Sequence, residues 1–294
     1  MKKDNRQKGF ILLCILPTLI IFSIFIVYPV TQVFFKSLFS SSGFGSGDEY
    51  VGFANFIELF KDDVFLKSLK NTGFLMLVVP VITLLLSLIF ASMLSFGELK
   101  EKHLYRTIFF FPSILSFVVI GILWAFIYHP NMGIVNEIMT AIGLDQFALT
   151  WLGNKNTVLW AIALVMVWQA VGYYMVMYLA GMDSIPKELY EAASIDGATG
   201  FQQFIKITIP MLWEIIRITI IFSINGVLNI SFVLVTVMTS GGPNNSSQVA
   251  LTYMYQQAFV NANFGYAMAI AVVVFVIAII LAFISNKLTE QETE

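Results

Sequence analysis

Long apolar runs alternate with short polar connections along the whole of this sequence. The first run extends from Phe10 to about Phe35, and five more cover about Asn71–Phe96, Thr107–Tyr128, Val158–Met182, Ile215–Met238 and Phe264–Asn286. As helix, about 20 such residues cross a hydrocarbon core of ~30 Å. Inside a bilayer every backbone N–H and C=O must find a partner within the protein. A helix meets that demand on its own, and the runs lack the apolar–polar alternation of barrel strands. The pattern therefore predicts an all-α membrane protein with six transmembrane helices. Pro29, Pro80 and Pro112 fall within or near span ends and read as tolerated kinks.

Composition sharpens this picture. Of the 294 residues, 58% are hydrophobic and 12% charged, against roughly 25% charged in a soluble domain. The basic start, "MKKDNRQKGF", precedes a run longer than the ~7–15 residues of a signal peptide, and no A-x-A pattern follows it. The run is expected to remain as the first span. Eleven Lys and Arg flank one set of span ends: Lys2, Lys3, Arg6, Lys8, Lys100, Lys102, Arg106, Lys187, Lys206, Arg217 and Lys287. Five flank the other: Lys36, Lys61, Lys67, Lys70 and Lys155. Because positive charge accumulates in cytoplasmic connections, both termini are expected in the cytoplasm.

Several chemistries have no place here. The single Cys14 rules out a disulfide framework or thiolate metal site, and His103 and His129 offer little for a histidine centre. No G-x-x-x-x-G-K-[ST] cradle and no G-x-S-x-G elbow occurs, so the chain carries neither an ATP site nor that nucleophile motif. No span has an ionisable residue at its centre, which weighs against a proton-driven carrier. Arg217 at the end of the fifth reads as a surface pair with Glu214. Energy for uphill movement would have to come from a partner. In the first external connection, Phe53, Phe56, Ile57 and Phe60 fall at helical spacing, as in a short helix lying on the membrane surface or capping the bundle.

One polar segment stands out, "ELYEAASIDGATGFQQFIKITIPML" from Glu188 to Leu212, placed in the cytoplasm by the charge count. Pro186, Glu188 and Glu191 suit a helix start, and Gly197 suits a helix end that needs a left-handed residue. Thr199 with Gln202 forms a capping-box pattern for a second helix. Phe201, Phe204 and Ile205 recur along that helix, and Pro210 is expected to end it. Such a helical hairpin could fit a groove on another protein or fold back on the bundle. Pattern alone leaves both open.

The string "EAASIDGATGFQQFIKITIP" resembles the E-A-A, Gly, I-x-L-P signature of permease subunits in bacterial ABC importers. Glu191, Ala192, Ala193, Gly197, Ile207 and Pro210 match, with Ile209 in place of the usual Leu. "SGGPNNSSQVALTYMYQQAF", "NFGYAMAIAVVVFVIAIILAFI", "GFANFIEL" and "LPTLIIFSIFIVYPV" are similar to stretches of carbohydrate-uptake permeases of the maltose type, the last more like the first of the two permeases. The resemblance implies a type I (MetI-like) permease core over 71–286, following an N-terminal tail, span and external loop over 1–70, with a cytoplasmic tail at 287–294. It implies a coupling loop at 183–210 whose helical part, 186–210, docks on an ATPase subunit.

The same resemblance implies two permeases, expected as a heterodimer, two ATPase subunits that hold the ATP and Mg, and an extracytoplasmic solute-binding protein. This chain would lie in the bacterial cytoplasmic membrane among lipid, carry no cofactor, catalyse nothing and bind no nucleic acid. Coupling is expected from Glu191 and Gly197, with Ala192, Ala193, Asp196, Phe201, Phe204 and Pro210 shaping the dock. Sugar recognition uses aromatic faces and amide or hydroxyl groups. Candidates within the spans are Trp168, Gln169, Tyr173, Tyr174, Asn225 and Asn229; interhelical hydrogen bonding is the competing use of each. Two other readings stay in view. A permease for a solute such as glycerol phosphate would favour Arg or Lys in the pathway. A sodium-coupled carrier working alone would leave the cytoplasmic hairpin without a purpose.

Overall fold

A computed structural model of the chain describes residues 2–43, 47–97 and 100–289. Gly45 and its neighbours in the first external connection, Glu98 and Leu99 in the second, and the expected tail beyond Thr289 lie outside them. The described chain is mostly helical, and its strands are one antiparallel pair of two residues each, Phe39–Ser40 and Glu49–Tyr50. Five helices are long and apolar enough to span a membrane: Phe10–Lys36, Asp63–Phe96, Val158–Asp183, Trp213–Met238 and Phe264–Lys287. A bent pair, Lys102–Ile114 with Phe117–Ile127, turned by 101°, is long and apolar enough when taken together and brings the number of spans to six if it counts as one broken span.

That bend corrects the single straight helix expected over Thr107–Tyr128, and Pro112 is part of it. Proline cannot donate to the carbonyl four residues back, and here it sits in a 3-10 turn, Phe111–Ile114. Ser113 turns its hydroxyl onto the Phe110 carbonyl (2.7 Å), while Leu115 and Ser116 are extended. Pro80, by contrast, lies within the continuous Asp63–Phe96 helix.

The chain divides into two units, Met1–Phe65 with Tyr253–Ile277, and Leu66–Thr252 with Ala278–Glu294. In the first unit, Phe10–Lys36 exposes nearly all of its apolar side chains, as a helix does when lipid or a partner is its neighbour. The short external helix Ala54–Leu59 turns Asn55 and Leu59 inward. Asn55 donates to the carbonyls of Ser37 (2.8 Å) and Phe39 (3.0 Å). Phe53, Ile57 and Phe60 face outward and exposed, the arrangement a surface-lying helix requires.

Asp62 ties this unit together. One carboxylate oxygen accepts from the N–H groups of Val64 and Phe65, an N-terminal cap for the second span. The other accepts from the hydroxyls of Tyr253 and Tyr266. Burial by itself raises the carboxyl; the two hydroxyls and two backbone N–H groups outweigh it and hold the group below its ordinary value.

The second unit is built around the fourth span, Val158–Asp183, the most buried of the long helices. Its outer half packs Ile162, Val165 and Met166 with Leu75, Val79, Ile120, Leu234 and Val235. Its inner half packs Met175, Tyr178, Leu179 and Met182 with Ala91, Leu94 and Leu212. At Gly172 a side chain would collide with the Phe109 carbonyl, so glycine is what allows the Lys102–Phe110 helix to lie against the fourth span. In the third connection Asn136 donates to the carbonyls of Pro130 and Leu149 and accepts from the Trp151 indole (2.8 Å).

Candidate functional site

The polar segment from Glu188 to Leu212 forms the helical hairpin its pattern predicts. The first helix, Lys187–Ile195, starts after Pro186, which takes the N-cap position rather than the first turn. It ends in a Schellman motif, with Ala198 N–H on the Ala193 carbonyl (2.9 Å) and Gly197 N–H on the Ser194 carbonyl (3.1 Å). Gly197 has φ +80, a conformation that costs other L-residues about 1–2 kcal/mol. Thr199 and Gln202 complete the capping box, with Thr199 N–H on Oε1 of Gln202 at 2.8 Å.

The second arm departs from expectation at its end. Gly200–Gln203 continues through a π turn, Phe204–Thr208, and Ile209–Met211, reaching the fifth span with only Leu212 between. Pro210 therefore does not end the helix. It stands near the start of the three-residue piece, and the wider turn before it accommodates the missing N–H.

Three residues that the pattern did not single out hold the arms together or crown them. The Gln203 amide donates to Ser194 Oγ (2.8 Å) and lies 3.4 Å from the carbonyls of Tyr190 and Ala198. Tyr190 shares a hydrogen bond with Thr208 Oγ1 at 3.0 Å. Ile195, next to the turn, is 87% exposed, more than Phe201 at 74%. Glu191, Ala192, Asp196, Gly197 and Pro210 are exposed as well, and Ala193 is half-exposed. Phe204 instead packs on the inner core around Leu212, so it anchors the arm. Their common signal was hidden: a Gln or Tyr reads as surface until the turn brings its partner near.

The embedded candidates do not form one cluster. Gln169 and Tyr174 are buried in the bundle, Tyr173 is half-exposed beside Tyr174, and Trp168 lies edge-on to Trp124 with 5.4 Å between rings. Trp168 lines an apolar groove of about 330 Å³ with Leu86, Phe90, Phe109 and Pro112. One turn on from Tyr174, Tyr178 pairs with Thr219 Oγ1 at 2.8 Å. This rung joins the fourth and fifth spans, the interhelical use of polar groups. Asn225 and Asn229 are exposed at mid-helix on the fifth span. Asn225 returns one N–H to the Ile221 carbonyl (2.9 Å), which leaves most of its amide and that of Asn229 facing outward. At mid-membrane depth such groups need water, solute or a partner chain.

Residues 84–293 match the family described as binding-protein-dependent transport system inner membrane component. A probable ABC transporter permease protein of Bacillus subtilis, YurN, is 36% identical over 284 residues, covering 96% of this chain and 97% of the relative. The diacetylchitobiose uptake system permease protein NgcF of Streptomyces coelicolor is 37% identical over 284 residues, covering 92% and 80%. Among solved structures, a bacterial ABC transporter involved in import of the acidic polysaccharide alginate superimposes with a TM-score of 0.82 at 25% identity, over 99% of each chain. Family match, near full-length relatives and the long apolar helices agree, and the chain belongs to the inner membrane components of binding-protein-dependent transport systems.

Proposed function

We propose that this chain is the permease subunit of an ATP-driven importer for a sugar or oligosaccharide, worked by ATPase subunits that dock on its cytoplasmic hairpin. The observation that carries the reading is the hairpin itself: rigid by its own capping and clasping bonds, yet presenting Ile195 and Phe201 to solvent. An exposed apolar knob beside carboxylates is costly on a free surface and suits a groove on a partner. Glu191, Ala192, Ala193, Asp196 and Gly197 frame that knob, and Phe204 and Pro210 secure its second arm. Sequence supplies the rest of the argument, since the chain has no nucleotide cradle of its own. ATP and Mg belong to the ATPase subunits in this reading, and both termini lie on their side of the membrane.

The saccharide class is supported by relatives and by the pathway. NgcF serves diacetylchitobiose uptake, and a related alginate transporter structure holds a pentasaccharide-bound periplasmic protein. A similar extracytoplasmic binding protein and a second permease complete the assembly proposed here. Asn225, Asn229 and Tyr173, exposed at separate places, offer neutral hydrogen-bonding groups to a polyol, and Trp168, Gln169 and Tyr174 are further pathway residues in this reading. A permease for glycerol phosphate in Yersinia pestis is also related, at 27% identity, but the spans of this chain put no Lys or Arg at their centres to meet a phosphate. Purified complexes test the reading. Glu191→Lys and Gly197→Val should break the link between ATP hydrolysis and uptake while the permease still inserts. Normal stimulated hydrolysis and uptake in both would sink it.

A further inference from the structure

A handle that docks on a moving ATPase must pass its displacement to the spans. Covalent links do this at both ends of the hairpin, but the second arm contains a compliant point, the π turn Phe204–Thr208. Wide turns of this kind recur at functional positions because they can change register. Left to itself, the turn would let the first helix shift without moving the fifth span. One side chain bridges it.

We propose that Tyr190 is a positioning residue for coupling, a strut that locks the hairpin's first helix to the start of the fifth span and the end of the second. This rests on the proposed docking role of the hairpin. The Tyr190 hydroxyl meets Thr208 Oγ1 at 3.0 Å, on the far side of the turn. Thr208 is fully buried, and its carbonyl accepts from Leu212 N–H (2.9 Å), the residue that leads into Trp213. The Tyr190 ring stands edge-on to Phe96, the last residue of the second span, with 5.4 Å between centroids. The ring also packs on the inner core of Leu94, Met182 and Leu212. Apolar packing alone tolerates sliding; a hydrogen bond to a buried hydroxyl fixes distance and direction and is stronger for being shielded from water. Tyr190 thus joins the first helix to two spans through a single side chain, next to Glu191.

The test uses the whole complex, permease pair with ATPase subunits, in lipid nanodiscs. Its readouts are co-purification of the ATPase, the basal rate of ATP hydrolysis, and the stimulation of that rate by the extracytoplasmic binding protein with a sugar panel. Tyr190→Phe, which removes only the hydroxyl, should keep assembly and basal rate while stimulation falls roughly 5- to 10-fold, a coupling loss of the usual size. Thr208→Val should do the same, Thr208→Ser should behave as the unaltered chain, and Tyr190→Phe with Thr208→Val should be no worse than either alone. Full stimulation in Tyr190→Phe, additive losses in the double variant, or a parallel fall in assembly and basal rate would each overturn the strut. If Glu191→Lys also leaves stimulation intact, it is the docking assignment that fails.

Discussion

Two connections flank the fifth span, and they are built to opposite plans. Before it, the helical hairpin buries almost nothing between Pro186 and Ile207 and is clasped by bonds between its own arms. After it, the connection plunges into the protein, with Ser246–Ala250 all buried. There the second span reaches over to hold it: Asn71 donates to the carbonyls of Ser246 (3.1 Å) and Gln248 (2.8 Å), Lys67 to that of Asn244 (2.8 Å), and Thr72 accepts from Ala250 N–H (2.9 Å). Ser240, Gly241, Asn244 and Asn245 take left-handed backbone to make the turn. Ser240 and the tip around Asn244 and Asn245 are exposed. A segment that is to be gripped by another protein, as proposed for the hairpin, needs internal stiffness and a free apolar face. A segment that must stay in place needs its polar backbone satisfied by its neighbours. The same chain solves both problems within 65 residues, from Pro186 to Ala250.

That contrast can be broken first at the exposed end. Ile195→Asp removes the most exposed apolar knob and touches nothing buried, so ATPase co-purification should fall at least ~10-fold, as for a hot-spot residue, with thermal unfolding of the permease unchanged. An unchanged yield of ATPase would show that the free face has another use. At the buried connection the signs reverse. Asn71→Ala strips two hydrogen bonds from buried carbonyls and should destabilise by about 2–3 kcal/mol, a drop of roughly 5–10 °C for a domain of this size, measured by thermal unfolding in detergent. A drop below about 1 °C would mean that the connection is not pinned there.

Smaller effects refine the picture. Gly197→Ala meets open space, so its cost is only the left-handed backbone, about 1 kcal/mol; unfolding shifts slightly while coupling suffers more. The smallest concerns Asp62, whose carboxyl lies below its ordinary value in the folded chain. Its contribution is present above the unfolded value, about 4, and is lost as pH falls through the folded one. Between about pH 5 and about pH 3 the unaltered chain should therefore lose more thermal stability than Asp62→Asn. Equal losses would mean that the two tyrosine hydroxyls do not distinguish carboxylate from amide.

How much of this was visible in the sequence follows from the range of each interaction. Span positions came from runs of ~20 apolar residues, which the bilayer's thickness fixes without reference to fold. The turn at Gly197 and the Thr199–Gln202 cap were legible because their partners lie within five residues. The bend after Pro112 was underestimated, since proline marks a weak point and neighbours decide how far it opens. Pro210 was read as a stop because a π turn leaves no mark in the residue pattern.

The embedded candidates show the limit most clearly. Tyr173 and Tyr174 are adjacent letters of the same chemistry, yet one faces outward and the other is buried. A helix sends successive side chains about 100° apart, so which of them meets a neighbouring span depends on where that span sits. Sequence determined that the chain crosses a membrane, where its helical hairpin lies and how the hairpin turns, all from local geometry and transfer energy. Tertiary structure alone decided that Tyr190 finds Thr208, that Asn71 holds the far connection and that Ile195 stands free. Those outcomes depend on residues 18 to about 180 positions apart in the chain, brought together only when the spans pack.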